Sequence, residues 1–166
     1  MNLRSSLLAI STLLGLGGCA PQPGEYVVIR LANATVTESS SCYPDNMFPE
    51  FSQDDRNTFT AGSTVALFAV DADTYIAELD NGAGIEGTRD GKDYSFSGEV
   101  VDVQETQTST RELVVEFTMD NKYVSGRSVT TDTVTCTGDP CQPYSCKTTV
   151  DFVGSVLKGV DIERAI

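Results

Sequence analysis

The clearest pattern in the chain runs from Glu112 to Asp120, where Leu113, Val115, Phe117 and Met119 alternate with Glu112, Glu116 and Asp120. A period of two turns successive side chains to opposite faces, so this stretch reads as a strand with one face in a core and one in water. The same period recurs at Tyr75, Ala77 and Leu79. It recurs at Tyr94 and Phe96 against Ser95 and Ser97, and at Cys146, Thr148, Val150 and Phe152 against Lys147, Thr149 and Asp151. Two further runs, Tyr26 to Leu31 and Thr64 to Val70, are apolar on both faces and read as well-covered strands. Ala34 to Ser41 continues the first of these or returns beside it. Ile85 to Thr88 and the threonine-rich stretch from Val129 to Cys136 complete the set.

The segments between these runs are short and polar. Asp71-Ala72-Asp73, Asn81-Gly82, Arg89-Asp90-Gly91-Lys92 and Asp120-Asn121 are hairpin turns by composition. Gln104 to Thr110 reads as a loop or an exposed hairpin tip, and Thr137 to Tyr144 as a connection. Gly98 and Gly154 each interrupt a strand and shift its apolar phase, which predicts a bulge or a sharp coil. The longest irregular stretch, from Cys42 to Asn57, holds Pro44 and Pro49. It also holds Met47, Phe48 and Phe51, which are expected to tuck under the loop and cover the core. No mature segment has a 3.6-residue apolar period of helical length. The expectation is an all-β domain of about eight strands in a single antiparallel meander. It closes fully or partly into a barrel or folds into a sandwich. In general appearance it is similar to the lipocalin-type barrels, without a motif of that family such as an early Gly-x-Trp.

The amino-terminal residues follow different rules. Arg4 supplies a positive start, Leu7 to Leu14 a short apolar run, and Leu16-Gly17-Gly18-Cys19 two small residues before a cysteine. The apolar segment is shorter than the ~20 helical residues needed to span a bilayer, and the whole reads as a removed export signal. It resembles the lipobox of bacterial lipoproteins, in which signal peptidase II cuts before a lipidated cysteine. The resemblance implies a signal peptide over residues 1–18 and a short lipidated tether over 19–24. A single β domain over 25–166 then rides close to the membrane. It also implies a diacylglycerol thioether on Cys19, often with a third fatty chain such as palmitate on its amine, and two or more chains anchor stably. Ala20, in place of an aspartate, favours the outer membrane.

Composition narrows the chemistry. The chain has 24 acidic and 11 basic residues, a net charge of −13 and no histidine. Loss of the signal removes only Arg4 among charged residues, so the mature domain is one unit more negative. Such a surface repels nucleic acid and favours cations. Without histidine no Ser-His-Asp or Cys-His device can form. No phosphate-binding glycine loop leads into a helix, and among so many acids spacing singles out no carboxylate pair for hydrolysis. Asp71, Asp73 and Asp80 place oxygen ligands on nearby turns and are weak calcium candidates; turn formation is the better account, and no twelve-residue calcium loop is present.

With Cys19 taken by lipid, Cys42, Cys136, Cys141 and Cys146 remain. An even number in an exported chain reads as two disulfides, and Cys136-x4-Cys141-x4-Cys146 lacks zinc spacing. Cys136 and Cys146 flank one connection on the apolar parity of their strands, so the simplest pairing joins them and leaves Cys42 to Cys141. Cys42 with Cys136 or Cys146 is the competing arrangement. The function expected is a membrane-anchored envelope lipoprotein with a non-catalytic structural or interaction role. The alternative is a carrier of a small apolar ligand, which requires an interior cavity that Tyr94, Phe96, Phe117, Met119 and Phe152 are large enough to fill. The expected partners are the bilayer, through the lipid, and another envelope protein; no cofactor is expected.

Overall fold

The computed structural model describes residues 20–39, 59–79, 82 and 84–159. The expected signal segment, Cys19, Cys42, the loop residues Met47, Phe48 and Phe51, the pair Asp80-Asn81 and residues 160–166 lie outside them. The described residues form eight strands and no helix: β1 (Tyr26–Glu38), β2 (Thr64–Ala69), β3 (Thr74–Leu79), β4 (Gly84–Asp90), β5 (Asp93–Val103), β6 (Gln107–Asp120), β7 (Tyr123–Cys136) and β8 (Tyr144–Leu157). Each pairs antiparallel with the next, and β8 returns to β1, which closes a barrel in sequence order. The meander read from the sequence is therefore a closed barrel and not a sandwich.

Alternation decides what faces inward. Val65, Leu67 and Ala69 on β2, Tyr75, Ala77 and Leu79 on β3, Val115, Phe117 and Met119 on β6, and Val150 and Phe152 on β8 are all buried. Aromatic rings fill the centre. Tyr94 meets Tyr75 edge-on at 5.3 Å and stacks on Phe117 at 4.9 Å, while Phe96 stacks on Phe117 at 5.8 Å. From the segment ahead of β2, Phe59 reaches in and stacks on Phe152 at 5.3 Å. Gly126 lies directly opposite Phe117 across the β6–β7 ladder. A Cβ at Gly126 would collide with the Phe117 side chain and the Glu116 carbonyl, so the missing side chain is what lets Phe117 lie against the wall.

Several local expectations are corrected. The Asp120-Asn121 turn sits one residue later, at Asn121 and Lys122, with Asn121 in the left-handed region at φ 56°. Gln104 to Thr110 is mostly strand: β6 begins at Gln107, and a tight turn at Glu105 and Thr106 is the hairpin tip. β1 runs straight through to Glu38, and the irregularity expected at Gly154 belongs to its partner. Gly154 pairs with Leu31 and Val153 with Asn33, so the extra residue is Ala32 of β1. Gly98 carries no bulge, since the β5–β6 register is unbroken from Asp93–Thr118 to Val103–Thr108. What changes near Gly98 is the other neighbour: the β4–β5 ladder runs only from Asp90–Asp93 to Gly87–Phe96. There the two strands part, and Ile85 leans into the opening, its Cγ2 only 3.0 Å from where a Cβ of Gly98 would stand.

The strands are unequal. β2 and β3 have 6 residues and β4 has 7, whereas β5 has 11, β1 has 13, and β6, β7 and β8 have 14 each. One side of the wall therefore rises beyond the other as an apron of β5, β6, β7, β8 and β1.

Candidate interaction surface at the barrel mouth

The barrel has two unlike ends. At one, tight turns join β2 to β3, β4 to β5 and β6 to β7, and the chain arrives from residue 20. Pro21 is buried there, the Gly24 N–H donates to the Ala69 carbonyl at 2.8 Å, and the Ala69 N–H donates to the Glu25 carbonyl at 2.9 Å. This is the closed end. The opposite end is the mouth, framed by the apron.

Along β7 the inward positions change from Val124 through the fully buried Ser128 to Thr130 and Asp132, a polar stretch that ends at the buried Val134. Asp132 is held by Arg111 of β6, directly opposite it, with Nε donating to Oδ1 at 2.6 Å. Around this pair the mouth forms a hollow of about 600 Å³ with Leu79, Ile85 and Leu113 at its apolar part and Glu86, Glu99 and Asp102 among its acids. Deeper in, the free space among Ile29, Leu31, Phe59, Val115, Phe117 and Phe152 is about 10 Å³, less than one water needs. The core expected from the large side chains is thus filled.

The cysteines part from the simplest pairing, Cys136 with Cys146, and agree with what the competing Cys42–Cys146 arrangement leaves. Cys136 is bonded to Cys141, with their Cα atoms 5.7 Å apart, and closes the loop between β7 and β8. The register explains why Cys136 does not meet Cys146: β8 places Cys146 opposite Asp132, four residues short of Cys136. Cys146 is buried in the interior, 1% exposed, and is itself disulfide-bonded, to a partner outside the described residues. Because the Cys136–Cys141 ring is small and stands at the rim, replacing both residues with serine should cost only about 2 kcal/mol in urea titrations, the chain-entropy value for so short a loop.

Of the calcium candidates, Asp80 lies outside the described residues. Asp71 spends its carboxylate on its own turn: Oδ1 accepts the N–H groups of Asp73 at 2.9 Å and Thr74 at 2.8 Å. Those two backbone donors hold its pKa below the usual carboxylate value. Among the described residues no group of three or more metal-ligating side chains comes together.

Two features escape a sequence reading. Tyr94 is 2% exposed, and its hydroxyl has no hydrogen-bond partner among the described residues; burial pushes its pKa up to about 12. The second is the exposure of Val100, Val101 and Val103, at 68%, 49% and 72%. The break in alternation at Gly98 was the available signal, but it reads equally as a bulge that returns these valines to the core.

Compared with known proteins, the chain matches no family model, no curated protein and no solved structure. The fold itself defines the class: a small antiparallel meander barrel with a packed interior and a one-sided, acidic mouth.

Proposed function

We propose that this chain is a bacterial envelope lipoprotein whose barrel is a non-catalytic interaction module. The observation that carries the reading is the packed core, which leaves no internal room for cargo and concentrates the accessible chemistry at the mouth. The lipobox-like Leu16-Gly17-Gly18-Cys19 supplies the anchor in this reading. Its cysteine directly precedes Ala20, which is at the closed end, so an acylated Cys19 sets that end against the bilayer and turns the mouth away from it. An outer-membrane location follows from Ala20 in the sorting position.

The expected result is that wild type enters the detergent phase of a two-phase partition and takes up labelled palmitate, and that Cys19→Ala does neither. Acylation of Cys19→Ala, or wild type in the aqueous phase, overturns the anchor. The 600 Å³ hollow favours one other reading, a carrier that holds its ligand in the mouth instead of the core. Native mass spectrometry of protein purified from its host separates the two, since a stoichiometric bound small molecule belongs only to the carrier.

A further inference from the structure

β5 has two neighbours as far as Phe96 and one beyond it. The hydrogen bonds of its two turns fix which way its backbone groups point. The Met119 N–H donates to the Lys92 carbonyl at 2.9 Å, and the Gln104 N–H donates to the Gln107 carbonyl at 2.8 Å. Even-numbered residues along β5 therefore bond to β6, and Glu99, Val101 and Val103 turn their N–H and C=O groups to the side that β4 has left. No described residue pairs with that edge, and the valines along it are exposed. An open strand edge with apolar side chains is a template for another strand.

The charges select the strand. Glu99 lies directly opposite Glu112 of β6, both exposed, and like charges so placed repel. Glu86 and Asp102 belong to the same margin of the mouth. A lysine or arginine beside Glu99 relieves this repulsion, and β-branched residues beside Val101 and Val103 match their shape. A second copy of this chain is a poor occupant, since each copy carries a net charge of −13.

We propose that the edge from Ser97 to Val103 receives an extended segment of a partner envelope protein as an added strand, with a basic residue beside Glu99 and β-branched residues two and four positions further along, beside Val101 and Val103. The proposal deepens the interaction reading and rests on it, but it does not depend on acylation of Cys19.

The probe is a capped heptapeptide that carries, at positions two apart, one lysine to stand beside Glu99 and two valines to stand beside Val101 and Val103, with threonine between them; it is titrated against the full-length protein in detergent, with the same peptide carrying glutamate in place of the lysine as the control. The lysine peptide is expected to bind and to slow amide exchange at Glu99, Val101 and Val103, and the glutamate peptide is expected not to bind. Val101→Pro removes an N–H that faces the gap and no β5–β6 bond, so it should keep the barrel and weaken binding at least tenfold. Should that variant misfold, Glu99→Lys still decides, because it should reverse the preference between the two peptides. Equal binding to Val101→Pro overturns the proposal. So does no binding at millimolar peptide, an unchanged preference in Glu99→Lys, or edge protection that rises with protein concentration alone, which would make the occupant a second copy. A silent edge with no small molecule in the native mass spectrum sinks only the added strand; a bound small molecule sinks the interaction reading beneath it.

Discussion

Phe117→Ala is expected to lower the free energy of unfolding by about 3–5 kcal/mol, the range for truncating a buried aromatic ring. Phe117 is the ring that Tyr94 and Phe96 both stack upon, and it borders the small space left at the centre of the barrel. Its loss removes both stacking contacts and opens a void that Gly126, lacking a side chain, cannot fill. Against the ~5–15 kcal/mol that usually holds a domain folded, such a loss is a large fraction of the whole. Urea denaturation should show a lower midpoint with an unchanged slope, since the area exposed on unfolding barely alters. The variant should also take up a small apolar probe that wild type refuses. A loss below 1 kcal/mol would mean that the rings are not the centre of the core.

The second large effect is a loss of stability in alkali. Tyr94 has its pKa raised from 10.0 to about 12, first by burial, with the Arg89 guanidinium 5.7 Å above its ring opposing the shift in part. The folded state thus holds the proton more tightly than the unfolded chain. The resulting stability is complete below pH 10 and drains away as pH rises from 10 towards 12. Two pH units correspond to a loss of at most about 3 kcal/mol. Tyr94→Phe should abolish the part of the alkaline transition due to this residue. It should also raise stability at pH 7 by about 1 kcal/mol, because it deletes a buried hydroxyl that has no partner. Thermal melts of both proteins at pH 7 and 11 check the two arms. A less stable Tyr94→Phe at pH 7 would mean that the hydroxyl is satisfied.

How much of this was legible follows from which residues are constrained by one neighbour and which by two. Leu113 to Met119 and Thr148 to Phe152 obey a simple alternation because each has a paired strand on both sides. Their faces, and the filled core, could be read directly. Gly98 could not be placed, because its glycine reports where β5 parts from β4, a strand that begins only at Gly84 and pairs with β5 no further than Phe96. Gly154 misled for a related reason, since it marks a bulge in β1, far away in sequence. The disulfide pairing failed on register: equal parity put Cys136 and Cys146 on the same face but said nothing of the four-residue offset between them. The mouth was invisible in advance, since Arg111 and Asp132 look like ordinary exposed charges until the ladder sets them side by side.

Closure in strict sequence order has a consequence for biosynthesis. Every pairing but one joins strands adjacent in the chain, and the exception seals the earliest strand to the latest. Until β8 has been made, β1 has no partner on that side, so one long seam stays open. A nonsense change between Cys136 and Tyr144, which leaves β1 to β7 and removes β8, should therefore deliver not a shortened barrel but an unsealed sheet, and the cell's quality-control proteases should treat it accordingly.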